Sequence, residues 1–314
     1  MLVGRTDPSH TTSKTIFLKS LREISKHILL SLTLVIFMSK HTIEALGLSR
    51  ITVENGKVID VTEPQVEYCP LFHKYQGIEK LTKEAIAKNI QFRIDDFGMC
   101  TADRQLRMKD FLSFGISEIL STLLEEGEID CVVMVCEGCG TVIITESEMA
   151  QGVGGRVSGL VETSPIPEVI DAIGRDNVVD VKTAAIDQIE GIKLAISKGF
   201  KNIAVTIALA DDAQKINRLK EDNPDINIYV FVVHTSKRSP EEARILFDSC
   251  DVATGCASKN MREIGYSESL KTVGQSIPIF SKTEMGKRFI ELRLDKIGGE
   301  KPKKDNAKIP DPLI

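Results

Sequence analysis

The chain contains no tryptophan, and aromatics make up only 5% of its 314 residues, so the stacking platforms on which single-stranded nucleic acid rests are missing. It has no basic stripe either. Lysines, arginines and carboxylates are interspersed and the formal net charge is -5 at pH 7, which leaves nothing to neutralise a phosphate backbone. No nucleic-acid partner is expected. Seven cysteines, an odd number unevenly spaced, are too few for a secreted disulfide scaffold and read as free thiols in a reducing cytoplasm. Long apolar runs are also lacking. Residues 28–38, ILLSLTLVIFM, follow Lys19, Arg22 and Lys26 but fall short of the ~20 residues that cross a bilayer, and no small-residue cleavage signal follows. No membrane partner is expected. Met38-Ser39-Lys40-His41 has the form of an ordinary protein start, so residues 1–37 read as a non-native or disordered extension.

What remains is 42% hydrophobic, enough for a large core. Ile51, Val53, Val58 and Val61 flank Asn55-Gly56, a pair suited to the positive φ angles of a type I′ hairpin. Helices are expected over 78–89 and 110–125, with the intervening FRIDDFGMC as a loop carrying Cys100. Beyond residue 128, short apolar runs alternate with amphipathic stretches. Strands are expected at 132–135, 178–181, 203–207, 228–233 and 251–253, and helices at 167–174, 184–198, 212–221, 240–249 and 283–294. The fold expected is α/β, a mostly parallel, Rossmann-like sheet flanked by helices over 128–297. A smaller hairpin-containing α+β region should occupy 38–127, and 298–314 should form a disordered tail.

In open α/β sheets ligands bind beyond the carboxyl ends of the strands. That rule brings Cys136, Cys139, His234, Cys256, Asp211 and Asp212 to one expected crevice. Cys136-Glu137-Gly138-Cys139 has the C-x-x-C spacing in which two thiolates share one metal or form a disulfide. Cys250 and Cys256 are the downstream thiols available to complete such a site, and Cys69, His73 and Cys100 form a second possible ligand set. An iron–sulfur cluster or zinc is the cofactor these residues call for. The bland alternative is that the cysteines are small core hydrophobes, above all Cys131, while Asp211 and Asp212 cap a helix. Gly152, Gly154 and Gly155 followed by Arg156 suggest a flexible loop over the crevice, with Gly154, Gly155 and Arg156 positioned for an anionic cofactor, although the spacing is not that of a dinucleotide loop.

The segments GKVIDVTEPQVEYCPLF, FGISEILSTLLEEGEIDCVVMVCEGCGTVI, GVGGRVSGLVETSPIP and DVATGCASKNMREIG resemble the methanogenesis marker protein 8 family of methanogenic archaea, over nearly all of the chain after residue 37. The resemblance implies a role in methanogenesis, with proteins of that process or of its cofactor maturation as partners, and it carries over no catalytic residue. Three functions stay open. The first is metal or iron–sulfur handling in support of assembly or activation of a methanogenic enzyme or cofactor. The second is an enzyme using Cys136 as nucleophile or redox thiol, with His234 as base, on a small anionic substrate. The third is a non-catalytic interaction subunit.

Overall fold

A computed structural model describes residues 39–109, 114–156, 159–300, 302 and 307–314; the reading of 1–37 as an extension lies outside them, and 39–314 cluster as one compact unit. The Asn55-Gly56 turn forms as its residues require. Both take positive φ and join β2 (Ser49–Glu54) to β3 (Lys57–Val61), with β1 (Lys40–Ala45) antiparallel on the far side of β2. The fourth strand of this sheet is β6 (Gly159–Thr163). It comes from beyond residue 128, so the smaller sheet is not built by 38–127 alone. Helix α2 (Lys83–Phe97), capped by Thr82, packs Ile86, Ile90 and Ile94 on Ile43, Ile51 and Val53. It runs through most of FRIDDFGMC, because Ile86, Ile90, Ile94 and Phe97 continue one apolar face past the expected helix end. A shorter helix, α1 (Pro70–Gln76), starts at Cys69.

The larger sheet has seven strands in the order β10-β11-β9-β8-β7-β4-β5. These are β4 (Cys131–Cys136), β5 (Gly140–Ile144), β7 (Asn202–Ile207), β8 (Asn227–Val232), β9 (Val252–Thr254), β10 (Lys271–Val273) and β11 (Ile279–Ser281). Only β4, β7, β8 and β9 run parallel, while β5, β11 and β10 pair antiparallel. The sheet is therefore mixed, which corrects the mostly parallel expectation. The reason is local: the glycines of the Cys136–Gly140 turn fold the chain straight back as a hairpin, and β5 takes the edge beside β4. Residues 178–181 form no strand; Val178 makes one isolated bridge to Val142 and Asp180 closes a turn onto Lys182 and Thr183.

Helices cover both faces. On one lie α3 (Ile116–Glu125), α4 (Ser147–Gly154), α5 (Pro167–Ile173) and α10 (Glu284–Lys296), packed on Val132, Met134, Val142, Ala204 and Phe231. On the other lie α6 (Gln188–Ser197), α7 (Ala210–Asp222), α8 (Pro240–Ser249) and α9 (Lys259–Glu268), packed on Val133, Ile203, Val205, Val230 and Val232. The strands are apolar on both faces because both are covered. Residues 307–314, expected to be disordered, are docked. Asp311 pairs with Tyr68, and Ile314 donates its N–H to the Ala257 carbonyl and accepts from the Lys259 N–H.

Candidate functional site

The ends of β4, β7, β8 and β9 open on a cavity of about 360 Å³. Val135, Thr206, Val233, His234, Thr254 and Cys256 come to it from the strand ends, Leu46, Leu48 and Val66 from connections of the smaller sheet, and Cys69 and Phe72 from the start of α1. Most of the lining is apolar with a few polar groups, as in small-molecule sites. Two of those groups sit in unfavourable backbone. His234 has φ +54 and Cys256 φ +33, a region that costs a non-glycine residue on the order of 1–3 kcal/mol and clusters at functional sites.

Each strained residue is held. His234 Nε2 lies 2.9 Å from Glu44 Oε1; the hydrogen bond from His234, its charge and that of Arg50 hold the Glu44 carboxyl below its usual range against the effect of burial. Gly159 allows this approach, since a Cβ there would stand 2.8 Å from His234 Nε2. Buried Arg262 clamps the Cys256 carbonyl with Nε at 2.9 Å and Nη2 at 2.6 Å, and Ser236 Oγ accepts the Ala257 N–H. Across the cavity Cys69 stands at the start of α1, half-buried and near enough to Cys256 for their charges to interact. Burial pushes the Cys69 thiol up, opposed by the N–H groups of Phe72 and Leu71 and by Arg262. Docked residues 307–314 reach both thiol-bearing segments, pairing beside Cys69 at Tyr68 and beside Cys256 at Ala257, with buried Pro310 in the cavity wall.

Cys136 and Cys139 are elsewhere, contrary to the single crevice expected. Both are fully buried on the side of the sheet covered by α3, α4 and α5. The face of the sheet does not separate them from the cavity, since Met134, on the same side of β4 as Cys136, lines it with residues of α3 and α4; the turn into β5 instead carries both thiols in beside Ile166 and the Arg104–Glu137 pair. Beside them Arg104 Nε meets Glu137 Oε2 at 3.3 Å with neither side chain exposed. The Arg104 Nη2 donates to the Gly152 carbonyl at 3.0 Å, and the Phe97 ring lies under both Arg104 and Arg156. A hydrogen bond with Cys139, burial and the Glu137 charge all push the Cys136 thiol up, outweighing Arg104; burial and Glu137 do the same to Cys100. Cys136 and Cys100 are thus held as shielded thiols, unsuited to nucleophilic use.

The other expected groupings also separate. Cys100 belongs with Glu137 and Arg104, whereas Cys69 faces Cys256 and Arg262. His73, one turn into α1, stands edge-on to Tyr68 at 5.6 Å. Cys250 donates to the Phe247 carbonyl in the core of the α6–α9 face. Among the described residues no three His, Cys, Asp or Glu side chains are grouped to hold a metal ion. Gly154 and Gly155 do line the cavity, but they close the C-terminal end of α4, which presents carbonyls and the negative end of the helix dipole rather than the N–H groups an anion needs. The stretch is helix and not flexible loop, since Leu106 crosses so close to Gly152 that a Cβ would be 2.1 Å from its carbonyl oxygen. Arg156 turns away to Phe97 and the Met108 sulfur. Sequence reading missed Glu44, Arg262 and Pro310. A lone glutamate on a strand, an arginine mid-helix and a tail proline carry no local signal; only their tertiary neighbours mark them.

The family model described as uncharacterized protein conserved in archaea (DUF2099) matches residues 41–295. The chain belongs to this family. An uncharacterized protein of Methanocaldococcus jannaschii is 43% identical over 267 residues, covering 83% of this chain and 93% of the relative. Glu44, Cys69, His234 and Cys256 fall within the matched residues. No solved structure gives a significant match. No helix among the described residues is long and apolar enough to cross a membrane.

Proposed function

We propose that this archaeal protein is a thiol-dependent enzyme acting on a small organic molecule, with Cys256 as nucleophile, His234 as its base, Glu44 orienting that base and Cys69 as a second thiol. One observation carries the reading: Cys69, Cys256 and His234 line a single cavity at the strand ends, and the imidazole is tethered to a carboxylate at 2.9 Å. A base held by a third group is the arrangement that activates a weak nucleophile. Written for a thioester, the Cys256 proton passes to His234, the sulfur bonds to the carbonyl carbon, and the departing thiolate takes the proton back. The nucleophile moves from Cys136 to Cys256 because Cys136 is sealed off by the Arg104–Glu137 pair. That the reaction serves methanogenesis or the maturation of its enzymes or cofactors, with proteins of that process as partners, belongs to the same proposal and rests on the motif resemblance.

The test is incubation with small acyl thioesters followed by intact and peptide mass spectrometry. An acyl adduct on Cys256 is expected, lost in Cys256→Ser and formed at least ~100-fold more slowly in His234→Asn. Absence of any adduct overturns the reading. Stoichiometric iron or zinc in anaerobically purified protein, released by Cys256→Ser, would replace it with the metal-handling role.

A further inference from the structure

His234 is also part of the wall of a second, larger cleft of about 760 Å³, and the two spaces share Leu48, Val135, Thr206, Val233, His234 and Ser236. The spaces differ in chemistry. The inner cavity is largely apolar, whereas the outer cleft carries Arg50, Lys237, Arg238, Glu44 and Asp212. Its charges do not all cancel locally. Glu44 is taken up by His234 and Arg50, and Asp212 lies 4.0 Å from Lys215. Lys237 is hydrogen-bonded to the neutral Gln65. Arg238 donates from Nη2 to the His234 carbonyl at 3.4 Å and lies 3.9 Å from Glu242, while its Nε is buried without a hydrogen-bond partner. The rim adds Val161, Ile186 and Leu209, exposed at 42%, 37% and 52%, so apolar surface surrounds the cationic floor.

We infer that the substrate is a two-part molecule, an anionic head group seated at Arg238 and Lys237 in the outer cleft and an apolar chain passing His234 into the inner cavity towards Cys256. This deepens the thiol-enzyme reading and names its substrate class. Arg238 supplies a buried donor that an oxyanion satisfies, and the mostly apolar inner lining favours an apolar chain. A ligand held at both ends would present its middle to His234, beside the thiols.

Calorimetric titration with octanoate, octyl phosphate, octanol and octylamine tests the inference without using thiol chemistry. At least one of the two anions should bind about tenfold or more tighter than octanol, and octylamine most weakly; whichever anion wins distinguishes a carboxylate from a phosphate head. Affinity should rise roughly threefold to fourfold per methylene from butyrate to octanoate. Arg238→Gln and Lys237→Gln should each weaken the anions several-fold and leave octanol unchanged. Equal affinity for anion and alcohol, no chain-length dependence, or no binding at all overturns the inference. Anion-selective binding in a protein that forms no Cys256 adduct would uphold the substrate class and sink the catalytic reading instead.

Discussion

Around the hairpin at 136–139 a buried ion pair occupies the space that a ligand would otherwise take, whereas at the ends of β8 and β9 the chain leaves such a space open. Both places hold thiols following a strand of the same sheet. In the first, Arg104 and Glu137 neutralise each other with no exposed surface, and Cys100, Cys136 and Cys139 pack around them as small apolar groups. In the second, Arg262 spends its hydrogen bonds on backbone carbonyls, of Cys256 and Ser276, and thereby fixes a strained loop whose side chains face the cavity. A C-x-x-C spacing marks the buried set and no motif marks the open one, so thiol spacing alone is a poor guide to accessibility.

The contrast can be broken most directly by thiol trapping. Native alkylation should label Cys69 and Cys256, while the five other cysteines react at least roughly a thousandfold more slowly because they wait for global opening; rapid labelling of Cys136 by peptide mapping would erase the distinction. Glu137→Gln should leave Arg104 charged, buried and unpaired, at a loss of about 3–5 kcal/mol in urea unfolding; a change under about 1 kcal/mol would show that the pair does not organise the hairpin.

A third expectation concerns the joint between the two sheets. His41 Nδ1 lies 2.6 Å from Thr163 Oγ1, which also accepts the Gly138 N–H at 2.8 Å, and the imidazole is buried. Burial lowers the His41 pKa to about 4, against ~6.5 in the unfolded chain. The folded value is the lower one, so the stabilisation is fully present above about pH 6.5 and is lost as the pH falls through about 4, on the order of 3 kcal/mol in all. Urea midpoints at pH 7 and 4.5 should diverge in the parent and less so in His41→Asn. The smallest effect is at the open site. Glu44 is depressed by its hydrogen bond to His234, so its contribution is present above the usual carboxylate value near 4.3 and fades below it; because the pair is partly solvated, Glu44→Gln should cost under about 1 kcal/mol at pH 7. A larger loss would mean that the dyad is structural, as the Arg104–Glu137 pair is.

Much of the architecture was legible from local pattern. Asn55-Gly56 can turn only one way, Pro167 opens α5 and Gly174 follows its last residue, and the apolar runs that became β4, β7, β8 and β9 are too short and too β-branched for helices. The misreadings have specific causes. Val178 to Val181 has the composition of a strand, but the edge of the sheet beside β4 was already taken by the hairpin strand β5. Residues 307–314 form no helix or strand pattern of their own; they are ordered by backbone pairing with Tyr68 and Ala257, which distant parts of the chain supply.

Residue type and spacing by themselves determined where strands end, and hence that His234 and Cys256 follow β8 and β9, because turn chemistry and periodicity are local properties of the backbone. Tertiary structure alone decided which strand-end thiols meet a cavity and which are sealed. That choice depends on whether Arg104 or open space lies opposite each thiol and on Glu44 arriving from a different sheet, neither of which is encoded within a window of neighbouring residues.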